Sequence, residues 1–277
     1  MIQTRTRGKI IISILKAILF CIVFTGVFII LSFAKSFVSD KLERIAHGTI
    51  GTFAALLTTL SFLKFDKKTF ADIGLTFEKD FFKRFFSGVL SGIVLMGILS
   101  LSVIFFSDFK IEVNSHSNIF NFLLWTLPLI PLAFMEELAF RAYPLQLLKN
   151  ETSVRSAIFI TSILFALYHI ANGWTMQNAF LGAGVWGIMY GLAAIYSNGI
   201  SMPTGMHYAA NLTTSAFGIS ESSSNVWILK SKDGLTLENY QSSQLITLIP
   251  QISLLLFAVI CMEWYVRKKY GSNQDSQ

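Results

Sequence analysis

The sequence is short of charge. Asp, Glu, Lys and Arg make up only 14% of its residues, against about a quarter in ordinary soluble domains. Proline occurs five times and cysteine twice, at Cys21 and Cys261. Both cysteines lie in apolar blocks without a CxxC or metal-type neighbour, so a disulfide framework is excluded and each reads as a small packing residue. GxSxG and HExxH are missing, and no Cys stands near a His. Nucleophile-elbow hydrolases, thiol proteases and the helical zinc motif therefore lack their signatures. Disordered, collagen-like and coiled-coil chains are excluded by a hydrophobic content of 53%, which includes 26 Phe.

What is present is apolar residues in long blocks. Runs of roughly 18 or more read as membrane spans. Eight segments qualify, at 11–34, 46–63, 85–107, 119–148, 153–171, 176–197, 199–218 and 243–266. The expected fold is an all-α polytopic membrane protein, a single membrane domain over 1–277 with about eight transmembrane helices. The fourth segment is long for a straight crossing and holds Pro128, Pro131 and Pro144, so it is expected to kink or tilt. Only Ser197, Asn198 and Gly199 separate the sixth and seventh, which predicts a tight helical hairpin.

The net charge of +6 is unevenly spread. With the N-terminus in the cytoplasm, the inside segments hold Arg5, Arg7 and Lys9, then Lys64, Lys67, Lys68, Lys79, Lys83 and Arg84, then Lys149 and Arg155, then Arg267, Lys268 and Lys269. That makes fourteen basic residues, against six outside: Lys35, Lys41, Arg44, Lys110, Lys230 and Lys232. The positive-inside rule thus predicts a multi-pass protein of the cell membrane with both termini cytoplasmic, which an even span count also requires. The first apolar run is about twice the 7–15 residues of a signal-peptide core, so it is read as a retained span. Residues 64–86 form a cytoplasmic linker. On a helical wheel Lys79, Asp80, Lys83 and Arg84 separate completely from Phe81, Phe82, Phe85 and Phe86, which predicts a short interfacial helix. The polar segment 219–242 is the longest outside loop.

Ionisable side chains at mid-bilayer cost about 2.5–3.5 kcal/mol each on insertion scales, which makes them functional candidates. The fourth span carries Glu136, Glu137 and Arg141. Glu137 and Arg141 are i,i+4 and can pair on one face, while Glu136 is rotated away and left uncompensated. The fifth span carries His169, one turn after Phe165; the seventh carries His207 and Asn211, again i,i+4. His47 and His116 fall at span edges or loops and read as interfacial. The sixth span contains Gly182-Ala-Gly184-Val-Trp-Gly187 and continues as Gly187-Ile-Met-Tyr-Gly191. No βαβ unit surrounds it, so the glycines read as close helix packing rather than a dinucleotide loop.

Three spans thus offer one free carboxylate, two imidazoles and one amide. A carboxylate beside a neutral His can position and deprotonate water. A His–Asn pair on one face can donate hydrogen bonds to a developing oxyanion. A Glu with two His is also a catalytic zinc set with an open position. The same atoms serve either chemistry.

Glu136-Glu137-x-x-x-Arg141, Phe165-x-x-x-His169 and His207-x-x-x-Asn211, in that order on successive buried helices, resemble the CPBP family. This family groups CAAX-type prenyl endopeptidases with bacteriocin-processing and immunity (Abi) proteins. The resemblance covers about 119–218 and implies a catalytic core there. It implies an intramembrane endopeptidase in which Glu136 and His169 activate water and His207 and Asn211 bind the oxyanion. Glu137, Arg141 and Phe165 would be supporting residues. No cofactor would be required. Zinc, if used, would fall to Glu136, His169 and His207, since the family is often labelled metalloprotease. The implied partners are a peptide or protein substrate at the membrane and the lipid bilayer, with no nucleic acid. The alternative is a non-catalytic membrane scaffold or bacteriocin-immunity protein that binds a membrane partner. A transporter ranks last, because the two halves show no repeat.

Overall fold

The computed structural model describes residues 7–39, 42–76, 79–106, 109–217, 225–230 and 244–270. Most of the 219–242 loop and the basic residues Arg5, Lys41 and Lys232 lie outside the described residues. The chain is an all-α polytopic membrane protein. In order come α1 (Arg7–Ser32), α2 (Glu43–Asp66), α3 (Phe81–Phe106), α4 (Ile119–Thr126), α5 (Leu129–Glu137), α6 (Tyr143–Glu151), α7 (Val154–Ala171), α8 (Val185–Ser197), α9 (Ser201–Ala216) and α10 (Gln244–Tyr270).

Among the described residues, seven helical stretches are long and apolar enough to cross a membrane, one fewer than expected. The difference is α9. It has 16 residues, about 24 Å at 1.5 Å per residue, which is short of a ~30 Å hydrocarbon core. It is an inner helix, with Pro203, Thr204, Gly205, Met206 and His207 all buried. Internal placement relaxes the need for full length, because neighbouring helices rather than lipid surround it.

The fourth span bends where its prolines stand. Pro128 caps α5 and separates it from α4. Pro144 lies in the first turn of α6, and the five residues before α6, Leu138–Ala142, form a π-helical turn. Proline removes an N–H and clashes with the carbonyl four residues back; a widened turn accommodates both. The amphipathic stretch read as a short interfacial helix leading into the third span forms the first turns of α3, which runs unbroken from Phe81. The preceding linker holds only a short 3₁₀ turn, Ala71–Ile73. There the backbone N–H and hydroxyl of Thr69 both donate to Asp72, holding its carboxyl below the usual range. The 197–199 hairpin is as expected: Asn198 adopts the left-handed conformation and turns α8 into α9.

Among the described residues one paired element is not helical. Lys110–Val113 pairs antiparallel with Trp227–Lys230 in a two-stranded ribbon at the α3–α4 side of the bundle. Its first strand is fully exposed, so the polar–apolar alternation of Lys-Ile-Glu-Val marks no buried face.

Small residues bring the inner helices together. α3 crosses α9 at Gly88, Gly92 and Gly205. A Cβ on Gly92 would lie 2.6 Å from the Met206 carbonyl oxygen and 2.7 Å from the Ala209 Cβ, and one on Gly205 would strike the Phe85 carbonyl. Such contact is how membrane helices gain packing without a hydrophobic drive. Gly205→Val is therefore expected to destabilise the protein by about 1–3 kcal/mol or more, read as a lowered melting temperature in detergent. Ion pairs close the periphery. Asp66 accepts from Lys16 at 2.5 Å and from the Tyr143 hydroxyl at 2.7 Å, tying α2 to α1 and α6. Arg155 grips Glu263 with two hydrogen bonds of 2.5 and 2.7 Å, tying α7 to α10.

Candidate active site

A cavity of about 780 Å³ opens at one end of the bundle. Glu136, His169, His207 and Asn211, together with Phe165, all line it. The four residues come from α5, α7 and α9, and sequence spacing alone does not bring those helices together.

The centre is a buried chain of charged groups. Glu137 and Arg141 are fully buried and pair i,i+4, Nε to Oε2 at 3.4 Å. The other Glu137 oxygen lies 2.9 Å from Nδ1 of His207. Glu137 thus bridges a guanidinium and an imidazole, where spacing had suggested only the first. With Nδ1–H donated to Glu137, the Nε2 edge of His207 is turned to Glu136, whose Oε2 is 3.6 Å away. That is ion-pair distance but long for a hydrogen bond. Glu136 makes no side-chain hydrogen bond to protein among the described residues. It faces the cavity, as its rotation away from the Glu137–Arg141 face requires.

Aromatic rings hold these groups in place. The Arg141 guanidinium carbon sits 4.2 Å from the Phe165 ring centre, and its Nη2 reaches the Gly187 carbonyl at 3.4 Å. A Cβ at Gly187 would lie 3.2 Å from that nitrogen, so the glycine leaves room for the guanidinium. This supports the packing reading of the glycine run. Gly191 likewise lies against Ile158 of α7. Tyr190 stacks on the His207 ring at 4.5 Å, nearly parallel. Phe165 therefore does more than pack: it touches Arg141, His169 and His207 at once.

His169 stands across the cavity. Its Nδ1 is 2.9 Å from the Phe165 carbonyl, so Nδ1–H donates there and Nε2 is left as the acceptor in the neutral ring. The imidazole within ion-pair distance of Glu136 is that of His207, not His169. Trp174 covers the His169 ring at 4.6 Å. It folds back because Gly173 takes φ +91°, which ends α7, and the Trp174 N–H then donates to the His169 carbonyl at 3.0 Å. Asn211 lines the same wall one turn beyond His207. His47 and His116 do not line the cavity.

Among the described residues no three His, Cys, Asp or Glu side chains converge closely enough to hold a metal ion. One His207 nitrogen is already committed to Glu137 and one His169 nitrogen to a carbonyl. Those bonds leave the Nε2 of each ring, as they do in metal-binding imidazoles, but Glu136, His169 and His207 stand farther apart in this structure than one ion spans.

Two lining residues carried no sequence signal. Arg44, at the start of α2, reaches the rim and donates to the Trp125 carbonyl at 3.4 Å. Gln251 of α10 has a buried side-chain oxygen without a hydrogen-bond partner among the described residues. A single polar residue in an apolar helix has no motif by which to be singled out.

Residues 118–213 match the family model described as type II CAAX prenyl endopeptidase Rce1-like. The match spans about a third of the chain. It holds all seven residues singled out from the sequence, from Glu136 to Asn211. No curated protein matches the chain. Arg44 and Gln251 lie outside the matched segment, on helices that the match does not reach. The matched family is named for CAAX prenyl endopeptidases.

Proposed function

We propose that the chain hydrolyses peptide bonds in the cell membrane with water as the direct nucleophile and no metal. The observation that carries this reading is the carboxylate of Glu136, held at a cavity wall without a side-chain hydrogen bond among the described residues, beside His207 and across from His169. Such a group is costly to keep in a membrane interior.

Water binds between the Glu136 carboxylate and Nε2 of His169. Its oxygen attacks the substrate carbonyl carbon while Glu136 takes its proton. The carbonyl oxygen becomes an oxyanion and accepts hydrogen bonds from the Asn211 amide and from His207 Nε2–H. A ring that donates at Nε2 while donating Nδ1–H to Glu137 carries a proton on each nitrogen in this step. The C–N bond then breaks, and Glu136 returns its proton to the leaving amine. Glu137 and Arg141 do not touch the substrate; they orient His207.

Comparative peptidomics of cells carrying wild type, a deletion, or Glu136→Gln at matched protein level tests this. A neo-terminus that is lost in both altered strains is the expected result. A deletion phenotype that Glu136→Gln leaves intact would instead support a scaffold or immunity role. Asn211→Ala is expected to lower the cleavage rate by about 10²–10³-fold, the usual loss of one oxyanion donor, measured on the peptide so identified. A chelator is expected to leave that rate unchanged.

A further inference from the structure

The cavity opens toward one end of the bundle. His169 is two residues from the end of α7, Asn211 five from the end of α9, and Gln251 is in the first third of α10. Arg44 is in the first turn of α2, and the 172–177 turn closes the same side. Most of the chain's basic residues sit at the opposite ends. Lys64 is in the last turn of α2, and Lys67 and Lys68 follow it. Lys83 and Arg84 open α3, Lys149 ends α6, Arg155 starts α7, and Arg267, Lys268 and Lys269 end α10. All but Arg5 of the fourteen residues assigned to the inside lie among the described residues, and they lie at the end away from the cavity. The cavity end holds only Lys35, Arg44, Lys110 and Lys230 among the described residues.

Lysine and arginine close to span ends are retained in the cytoplasm, and this bias sets orientation. We infer that the cavity opens on the extracytoplasmic face, and that its substrate is a polypeptide presented from that side: a secreted or surface-tethered chain rather than a cytosolic one. The substrate class rests on the peptidase reading; the orientation does not. The arrangement also accounts for the rim. Arg44 stands at the outer mouth, and the 110–113 and 227–230 strands form an exposed ribbon on the same side.

The test has two independent arms. Single cysteines are placed in a full-length Cys21→Ala, Cys261→Ala background. Gln177→Cys and Val113→Cys report the cavity end, and Lys79→Cys and Arg267→Cys the other. Each is treated with a membrane-impermeant maleimide in right-side-out and in inverted membrane vesicles. The first pair is expected to label in right-side-out vesicles only and the second in inverted vesicles only; the reverse pattern overturns the orientation and the substrate class with it. In the second arm, neo-termini that depend on Glu136 are sought separately in the medium, the cell surface and the cytosol. Their appearance in the medium or at the surface supports the inference, and their confinement to the cytosol overturns the substrate class. Outward labelling with no Glu136-dependent terminus in any fraction removes the peptidase reading and leaves the orientation standing.

Discussion

Glu136→Gln is expected to lower peptide cleavage by about 10²–10⁴-fold, the usual contribution of a positioned general base, while the protein becomes no less stable. The two halves of this expectation come from one observation. Glu136 makes no side-chain hydrogen bond to protein among the described residues, and its closest charged contact, with His207, is 3.6 Å. Little folding energy therefore rides on the carboxylate. Its charge, on the other hand, is expensive in a membrane interior, and the amide that replaces it is neutral. Glutamine keeps the shape and can hold a water, but it cannot take a proton from one. Purified wild type and Glu136→Gln are compared by initial cleavage rate and by melting temperature in the same detergent. A purely structural carboxylate predicts the opposite pairing, with a lowered melting temperature and activity that survives in the folded fraction. Glu136→Asp separates chemistry from placement: it keeps the base but withdraws it by one methylene, so its rate is expected to fall between the other two.

The parts of the fold and site that were legible in the sequence are those governed by neighbours along one helix. Glu137 and Arg141 are four residues apart, and they pair at 3.4 Å. Glu136, one residue earlier, must point elsewhere, and it lines the cavity. Pro128 and Pro144 mark the breaks of the fourth span because proline acts on its own turn. What depends on contacts between distant helices was not legible. Glu137 meets His207 across 70 positions, so its role as a bridge could not be read from spacing. The length of α9 misleads for the same reason. Hydropathy counts apolar residues, and it cannot tell a helix facing lipid from one enclosed by α3, α5 and α8. The glycines of α3 that admit α9, Gly88 and Gly92, form a GxxxG pattern as plain as that of Gly187 and Gly191, yet the partner of each pair is given only by the tertiary fold. Arg44 and Gln251 are the extreme case, since each is polar, single and far in sequence from the residues whose cavity it shares.

Arg141→Leu is expected to destabilise the protein by about 3–5 kcal/mol, the range for removing one partner of a buried ion pair. Arg141 is fully buried, and its charge is opposed by the equally buried Glu137. Without the guanidinium, Glu137 keeps only the imidazole of His207 to balance its carboxylate. The vacated volume also removes the group that lies 4.2 Å from the Phe165 ring. The double variant Arg141→Leu/Glu137→Leu carries no stranded charge. Replacing a whole buried pair with apolar residues is often neutral or stabilising, so the double variant is expected to melt higher than the single one. Activity should not follow stability. With Glu137 gone, nothing accepts Nδ1–H of His207, and the ring loses the bond that turns Nε2 toward Glu136 and the cavity. The double variant is therefore expected to be folded and inactive. Melting temperatures and cleavage rates of wild type, both single variants and the double variant complete the cycle. If the double variant were as unstable as Arg141→Leu, the pair would hold the helices together through shape and hydrogen bonding, and charge would be secondary. If it were folded and active, His207 would not need Glu137, and the proposed oxyanion role of its Nε2 would lose the interaction that orients it.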